Sequence, residues 1–300
     1  MTTIITKNSS TANAVPSAGA LTQGELAVNV TDRKLYTKNA SNAVVSLGAD
    51  LTANSPKATN NVTLGANAGV AITTGTANTF IGSQAGKTVT TGASNTALGN
   101  EALRDDVSGT GNTAIGLNAL NKCLGNFNTA IGFVAGNAAT TAFSNTFLGD
   151  SAGANVTTGQ GNVNVGQNSL ASAATVSNEI TLGNANSAAL RCNVQSISTL
   201  SDARDKTNIV DTSYGVDFLN TLQPRQFTWA TRDGSSKDGK VEQGFIAQEL
   251  LEAAGADKNK LNLVYESNPE KLEATAGNLI PILVKAIQEL SARVTELENN

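Results

Sequence analysis

The chain has 300 residues, of which 40% are apolar, 4% aromatic and 15% charged, with 28 Gly, 5 Pro and a net charge of −4. That length suggests two or three domains, and the profile lies outside both an ordinary globular enzyme and a disordered chain. The absence of histidine removes Ser-His-Asp and Cys-His nucleophile systems, HExxH zinc sites and every histidine-ligated metal at once.

Residues 1–60 open on a Ser-, Thr-, Asn- and Ala-rich stretch to about residue 20, expected to form a flexible or extended arm. Residues 24–38 then read as two short strands around a polar turn at Thr31, Asp32 and Arg33, with a third strand at Val44–Leu47 ending on Gly48. This block resembles the short N-terminal module of many phage tail fibres, which implies attachment to tail or baseplate proteins. A small β-cap on the next domain, with no partner of its own, is the plainer alternative.

The middle, residues 61–200, holds 9 charged side chains, against 27 in residues 201–300. A glycine recurs at Gly65, Gly82, Gly99, Gly116, Gly132, Gly149, Gly166 and Gly183, with 17-residue steps and a single step of 16 into Gly132. One residue before each glycine stands an aliphatic residue, from Leu64 to Leu182. Three before it stands a β-branched one, from Val62 to Ile180. The position between varies freely. Two constant positions around a variable one predict a strand with the constant side chains on the buried face, followed by a glycine corner. Four residues before the glycine, Asn61, Asn78, Asn95, Asn112, Asn128, Asn145 and Asn162 precede a closing Glu179. Stacked asparagines suggest a hydrogen-bonded ladder more than a repeated sugar contact. Three residues after the glycine, Ala68, Ala85, Ala102, Ala119, Ala135, Ala152 and then Ser169 keep the corner small. One such unit cannot bury its own apolar face, so eight are expected to stack into a β-solenoid or β-roll about 38 Å tall. Few aromatics are available to fill it, and three chains side by side would remedy that. This part resembles the repetitive bodies of phage tail fibres and, more loosely, the heads of trimeric bacterial adhesins.

Residues 201–300 have the composition of a conventional soluble domain. Four stretches run in order: SDARDKTNI from Ser201, LNTLQPRQFTW from Leu219, GFIAQEL from Gly244 and LIPILVKAIQEL from Leu279. In order and spacing they resemble the self-cleaving intramolecular chaperone of endosialidase-type tailspikes and tail fibres. The resemblance implies a domain that drives trimer assembly and then cuts itself off with a Ser/Lys pair. The matching residues are Ser201 and Lys206, with the scissile bond between Leu200 and Ser201. Lysine is the natural base for a serine in a chain without histidine, provided burial or a nearby positive charge such as Arg204 helps it lose its proton. Asp202 and Asp205 would oppose that if they pointed inward. Attack of the Ser201 hydroxyl on the Leu200 carbonyl would give an ester; direct attack by water is the rival route. Residues 244–251 predict an amphipathic helix with Phe245, Ile246 and Leu250 inward. Ile280, Leu283, Ile287, Leu290, Val294 and Leu297 form a short heptad seam. Alone, its β-branched and Leu positions favour two strands, but at under three heptads the solenoid is expected to set the number of chains.

The expected architecture is therefore mainly β: a cap or attachment module at 1–60, a trimeric solenoid at 61–200 and an α+β chaperone at 201–300 that ends in a helix. The leading function is a phage tail fibre used in host recognition, made in the host cytoplasm and carried on the virion. Its expected partners are two further copies, the tail or baseplate, and a host glycan or outer-surface protein. Enzymatic activity is expected at most as one self-cleavage, with no cofactor or metal. Cys123 and Cys192 suggest neither a disulfide framework nor a zinc site. The net charge gives no attraction to nucleic acid, no stretch is apolar enough to span a membrane, and the start lacks a signal-peptide layout. Two alternatives stand beside this reading. A polysaccharide-degrading tailspike needs a carboxylate pair, for which Asp105 and Asp106 are the candidates; a trimeric bacterial adhesin needs a secretion signal.

Overall fold

The computed structural model describes residues 7–11, 14–29, 34–47, 60–187, 189–191, 201–232 and 237–299. The chain divides into two compact units: the first runs to Leu170 and takes back Ser177–Thr181, and the second comprises Ala171–Val176 and everything from Leu182 on.

In the first unit, β1 (Lys7–Ser9), β2 (Leu26–Asn29), β3 (Lys34–Lys38) and β4 (Val44–Leu47) form one sheet in sequence order. The three expected strands are present, and the turn at residues 31–33 lies outside the described residues. β1 is an addition. Part of the arm pairs parallel with β2, and the buried Asn29 amide donates to the carbonyls of Thr11 and Ala14, each at 3.0 Å. Leu21, Ala27 and Tyr36 bury together, with Val44 against them.

The body is a β-solenoid. Its strands are β5 (Val62–Leu64), β6 (Thr79–Ile81), β7 (Thr96–Leu98), β8 (Thr113–Ile115), β9 (Thr129–Ile131), β10 (Thr146–Leu148), β11 (Val163–Val165) and β12 (Ile180–Leu182). They stack as one eight-stranded sheet in chain order, with parallel in-register pairing such as Thr79↔Thr96 and Ile81↔Leu98. The glycine after each strand is doubly required. Gly99 has φ +143°, and a Cβ there would lie 2.6 Å from the Gly116 carbonyl carbon of the next coil. The asparagines do form a ladder, whose regular rungs run from side chain to backbone, with side-chain bonds added from Asn128 to Asn112 and from Asn145 to Asn128. The side-chain oxygen of Asn78 accepts the Asn95 N–H at 3.0 Å, that of Asn95 accepts the Asn112 N–H at 2.9 Å, and the series ends where Asn162 accepts the Glu179 N–H at 3.0 Å. The amides from Asn61 to Asn145 also donate to a backbone carbonyl later in the coil, as Asn78 does to Gly92 at 2.9 Å and Asn95 to Gly109 at 2.7 Å. Both ends of a buried amide are thereby satisfied.

One expectation is overturned: the strand faces are inverted. The variable middle residues Phe80, Ala97, Ala114, Ala130, Phe147 and Asn164 are the buried ones. The constant positions point outward, with Leu98 45% exposed and Leu148 44% exposed. A coil of 17 residues encloses a narrow interior, and its filling is solved locally by size. Phe80 packs where residue 86 is glycine, and Phe147 where residues 136 and 153 are glycine; a Cβ on any of the three would strike the ring. Ala97 and Ala114 leave room for the fully buried Leu103 and Leu120, which hold left-handed backbone (φ +52° and +47°) at the positions equivalent to those glycines. Leu and Phe thus alternate between two sites of one coil, which keeps the interior close-packed.

The second unit has an ordinary apolar core. After α1 (Val216–Leu219) come the antiparallel pair β13 (Arg225–Thr228) and β14 (Val241–Gly244), α2 (Ala247–Ala254), α3 (Lys258–Leu261), the pair β15 (Val264–Tyr265) and β16 (Glu273–Ala274), and α4 (Ile280–Glu298). Leu222, Leu250, Ala254, Leu261, Leu263, Val264, Leu279 and Ile282 form one buried cluster, against which Phe218 and Phe245 pack. The expected helix at 244–251 begins three residues later, because Gly244 pairs with Arg225 at the end of β14. Leu250 is buried as expected, while Phe245 and Ile246 are only half-buried. α4 buries Ile282 and Ala286 and leaves its heptad residues Ile280, Leu283, Ile287, Leu290, Val294 and Leu297 exposed. The Glu289 carboxylate of α4 accepts the Val216 N–H at 2.9 Å, capping the first turn of α1. The molecule is mainly β, a repetitive body followed by a C-terminal part that ends in a helix. No helix among the described residues is long and apolar enough to cross a membrane.

Candidate functional site

Ser201 and Lys206 flank a single 3-10 turn, Ala203–Asp205. Asp202 starts that turn: its carboxylate accepts the Arg204 N–H at 2.9 Å, as short polar side chains do at helix starts. The Lys206 N–H then closes on the Ala203 carbonyl at 3.2 Å. The turn folds residue 206 back towards residue 201, and the Lys206 Nζ donates to the Ser201 Oγ at 2.5 Å. A five-residue spacing with a tight turn inside it is what brings the amine to the hydroxyl.

The surrounding charges are arranged differently from the simplest expectation. Arg204 does not point its charge at Lys206. Its guanidinium is held by Asp202, with Nη2 at 2.6 Å and Nε at 3.0 Å, and this pairing holds the Asp202 carboxyl below the usual carboxylate range. Residues 201–211 are all exposed to solvent. Leu200, the expected residue before the scissile bond, lies outside the described residues.

The carboxylate pair expected of a glycosidase is not assembled. Asp105 is at the surface, gripped by Arg104 through Nε at 2.7 Å and Nη2 at 2.8 Å, and its pKa is lowered by that hydrogen bond. Arg104 also holds Glu101 at 2.7 Å. Asp106 is fully buried inside the coil, accepts the Gly109 N–H at 2.6 Å, and is pushed up to about 6 by burial. Two neighbouring carboxylates, one outside the coil and one sealed within it, cannot flank one sugar bond. The free Cys123 is also buried, at the position one coil further on, where burial raises its thiol to about 11. Among the phenylalanines of the body, Phe80 and Phe147 are core, and Phe127, Phe133 and Phe143 are exposed.

Sequence reasoning missed the Asp202–Arg204 clamp and the burial of Asp106. The first had a readable signal, an Asp opening a short turn. The second required knowing that the seventh residue after the glycine, Val89 or Val156 in other coils, faces the core.

Residues 201–258 match the family model described as chaperone of endosialidase. The match begins at Ser201 and stops short of the motif at 279–290. Comparison with curated proteins and with solved structures found no match. A chaperone-of-endosialidase segment behind a β-solenoid body fits a tail fibre with a C-terminal chaperone domain.

Proposed function

We propose that this chain is the subunit of a trimeric phage tail fibre with three working parts. Residues 1–60 attach it to the tail or baseplate, residues 61–200 form the shaft that meets a host glycan or outer-surface protein, and residues 201–300 guide assembly. The last part then removes itself by cutting between Leu200 and Ser201. The observation that carries the processing step is the contact of the Lys206 Nζ with the Ser201 Oγ, at the first residue of the matched segment.

In this mechanism a neutral Lys206 takes the Ser201 proton as Oγ attacks the Leu200 carbonyl carbon. The C–N bond to Ser201 breaks, its nitrogen takes up the proton as the new amino terminus, and water opens the resulting ester. A neutral lysine requires burial or nearby positive charge. The pair is exposed in the single chain, so a neighbouring chain has to supply that cover, and cleavage follows trimer assembly rather than preceding it.

Intact mass of freshly expressed protein tests this. Two products are expected, the smaller beginning at Ser201, and Ser201→Ala and Lys206→Ala should each leave the full chain uncut. Wild-type trimer that stays whole would remove the processing and leave only an assembly role.

A further inference from the structure

A strict rule of the repeat also governs a surface that the described chain leaves partly open. On the outward face of β5–β12, the first and third residue of each strand give sixteen positions, all of them Val, Leu, Ile or Thr, with no charge. Inside the coil, where packing is complete, Ala, Phe, Asn and Thr are all accepted. The first and third positions are half-buried or exposed, and Leu98, Ile131, Leu148, Ile180 and Leu182 each expose more than a third of their surface. Because the strands pair in register, these side chains form two straight files along the stack, rising about 34 Å at the strand spacing.

We propose that this outward sheet face is the seam between copies of the chain, with the files of each body packed around a common axis. A foreign protein has no reason to repeat a side chain at every strand spacing for eight rows, whereas a second copy does so by construction. The inference rests on the trimer of the preceding section, and cyclic symmetry then dictates the register. Each row faces the same row of its neighbours. Exclusion of water from the files is the driving force. The exposed heptad seam of α4 is a second uncovered apolar stripe on the same chain, so both units call for the same kind of partner. The inversion of the strand faces then has a physical cause. The chain spends its small and variable residues on its own narrow interior and its aliphatic ones on the assembly.

Cysteines added singly to the files test this, in the full-length chain with Cys192→Ser and the buried Cys123 left in place. Leu98→Cys and Leu148→Cys replace exposed residues, and Val107→Cys, about half a coil from the strand and also exposed, is the control. Samples are oxidised with copper-phenanthroline and read on a non-reducing denaturing gel, with light scattering for native mass and circular dichroism for folding. Trimeric mass with cross-linked pairs from Leu98→Cys and from Leu148→Cys, and none from Val107→Cys, is expected. Trimeric mass with no cross-link at either row, or with the cross-link only at Val107→Cys, overturns the seam and leaves the trimer standing. Monomeric mass for the wild type overturns the trimer itself and the seam with it. If a cysteine variant loses its strand signal, Leu148→Ser serves in its place. It should weaken the trimer of the body at least tenfold, and an unchanged association constant would also defeat the seam.

Discussion

The solenoid and the C-terminal unit solve the problem of burial in opposite ways. The C-terminal unit gathers Leu222, Leu250, Leu261, Leu263 and Ile282 from distant elements into one cluster, and its polar groups stay at the surface. The solenoid strings its interior along the stack instead. It buries alanines, Phe80, Phe147, Leu103, Leu120, Val89 and Val156 beside a column of seven asparagines, and each coil leans on the backbone of the next. The contrast teaches where each region is fragile. A cluster loses stability in proportion to the methyl groups removed. A stack of identical coils tolerates swaps of Leu and Phe between sites, but fails where the backbone itself has no room.

The largest effect is expected from the glycine column. Gly99→Ala combines a positive φ with a Cβ forced against the Gly116 carbonyl, and should destabilise the body by about 4 kcal/mol or more. Trp229 is the sole tryptophan and lies in the second unit, with its Nε1–H on Glu242 at 2.9 Å. Circular dichroism should therefore show the strand signal melting well before tryptophan fluorescence changes. A simultaneous loss of both signals would mean that the two regions stand or fall together.

Leu250→Ala reverses the experiment. It removes a side chain only 1% exposed from the centre of the second cluster and should cost about 3 kcal/mol. Tryptophan fluorescence should now report the early transition, with the strand signal of an assembled body intact. An early loss of strand signal instead would place part of the solenoid's stability in its C-terminal neighbour.

The smallest effect belongs to Asp106, the one charge-bearing side chain sealed inside a coil. Burial raises its folded pKa to about 6 from an ordinary 3.8, so the folded state holds its proton more tightly than the unfolded one. Stability from this group is thus fullest below pH about 4, falls as pH rises to about 6, and stays low above that. The span is at most about 3 kcal/mol. Asp106→Asn should flatten that dependence and raise the melting temperature at pH 7, recovering about 2 kcal/mol. A variant that melts lower at pH 7 would mean that the ionised carboxylate is held by its backbone N–H partners more firmly than burial penalises it.

The comparison between the two regions also marks how far the sequence alone reaches. The repeat positions of glycine, asparagine and β-branched residues located all eight strands, because the same local rule is written eight times and errors in one copy are corrected by the rest. In the C-terminal unit the helix ending near residue 298 and the burial of Leu250 followed from helical periodicity. The start of α2 did not, because pairing of Gly244 with Arg225 outranks the helical pattern. Ser201 and Lys206 were legible as a motif, but their contact depends on a turn that Asp202 begins.

What the sequence determined by itself is whatever local periodicity encodes: where strands run, where corners fall and which residues share a face. Which face points inward was decided only in three dimensions. A period of two names two faces and is silent about the space behind each one. In this chain the single middle position of each strand turned in, where Phe fits beside glycine and Ala fits beside Leu, and the two aliphatic or β-branched positions turned out. The placement of Asp106 was settled in the same way, by the closing of the coil around it.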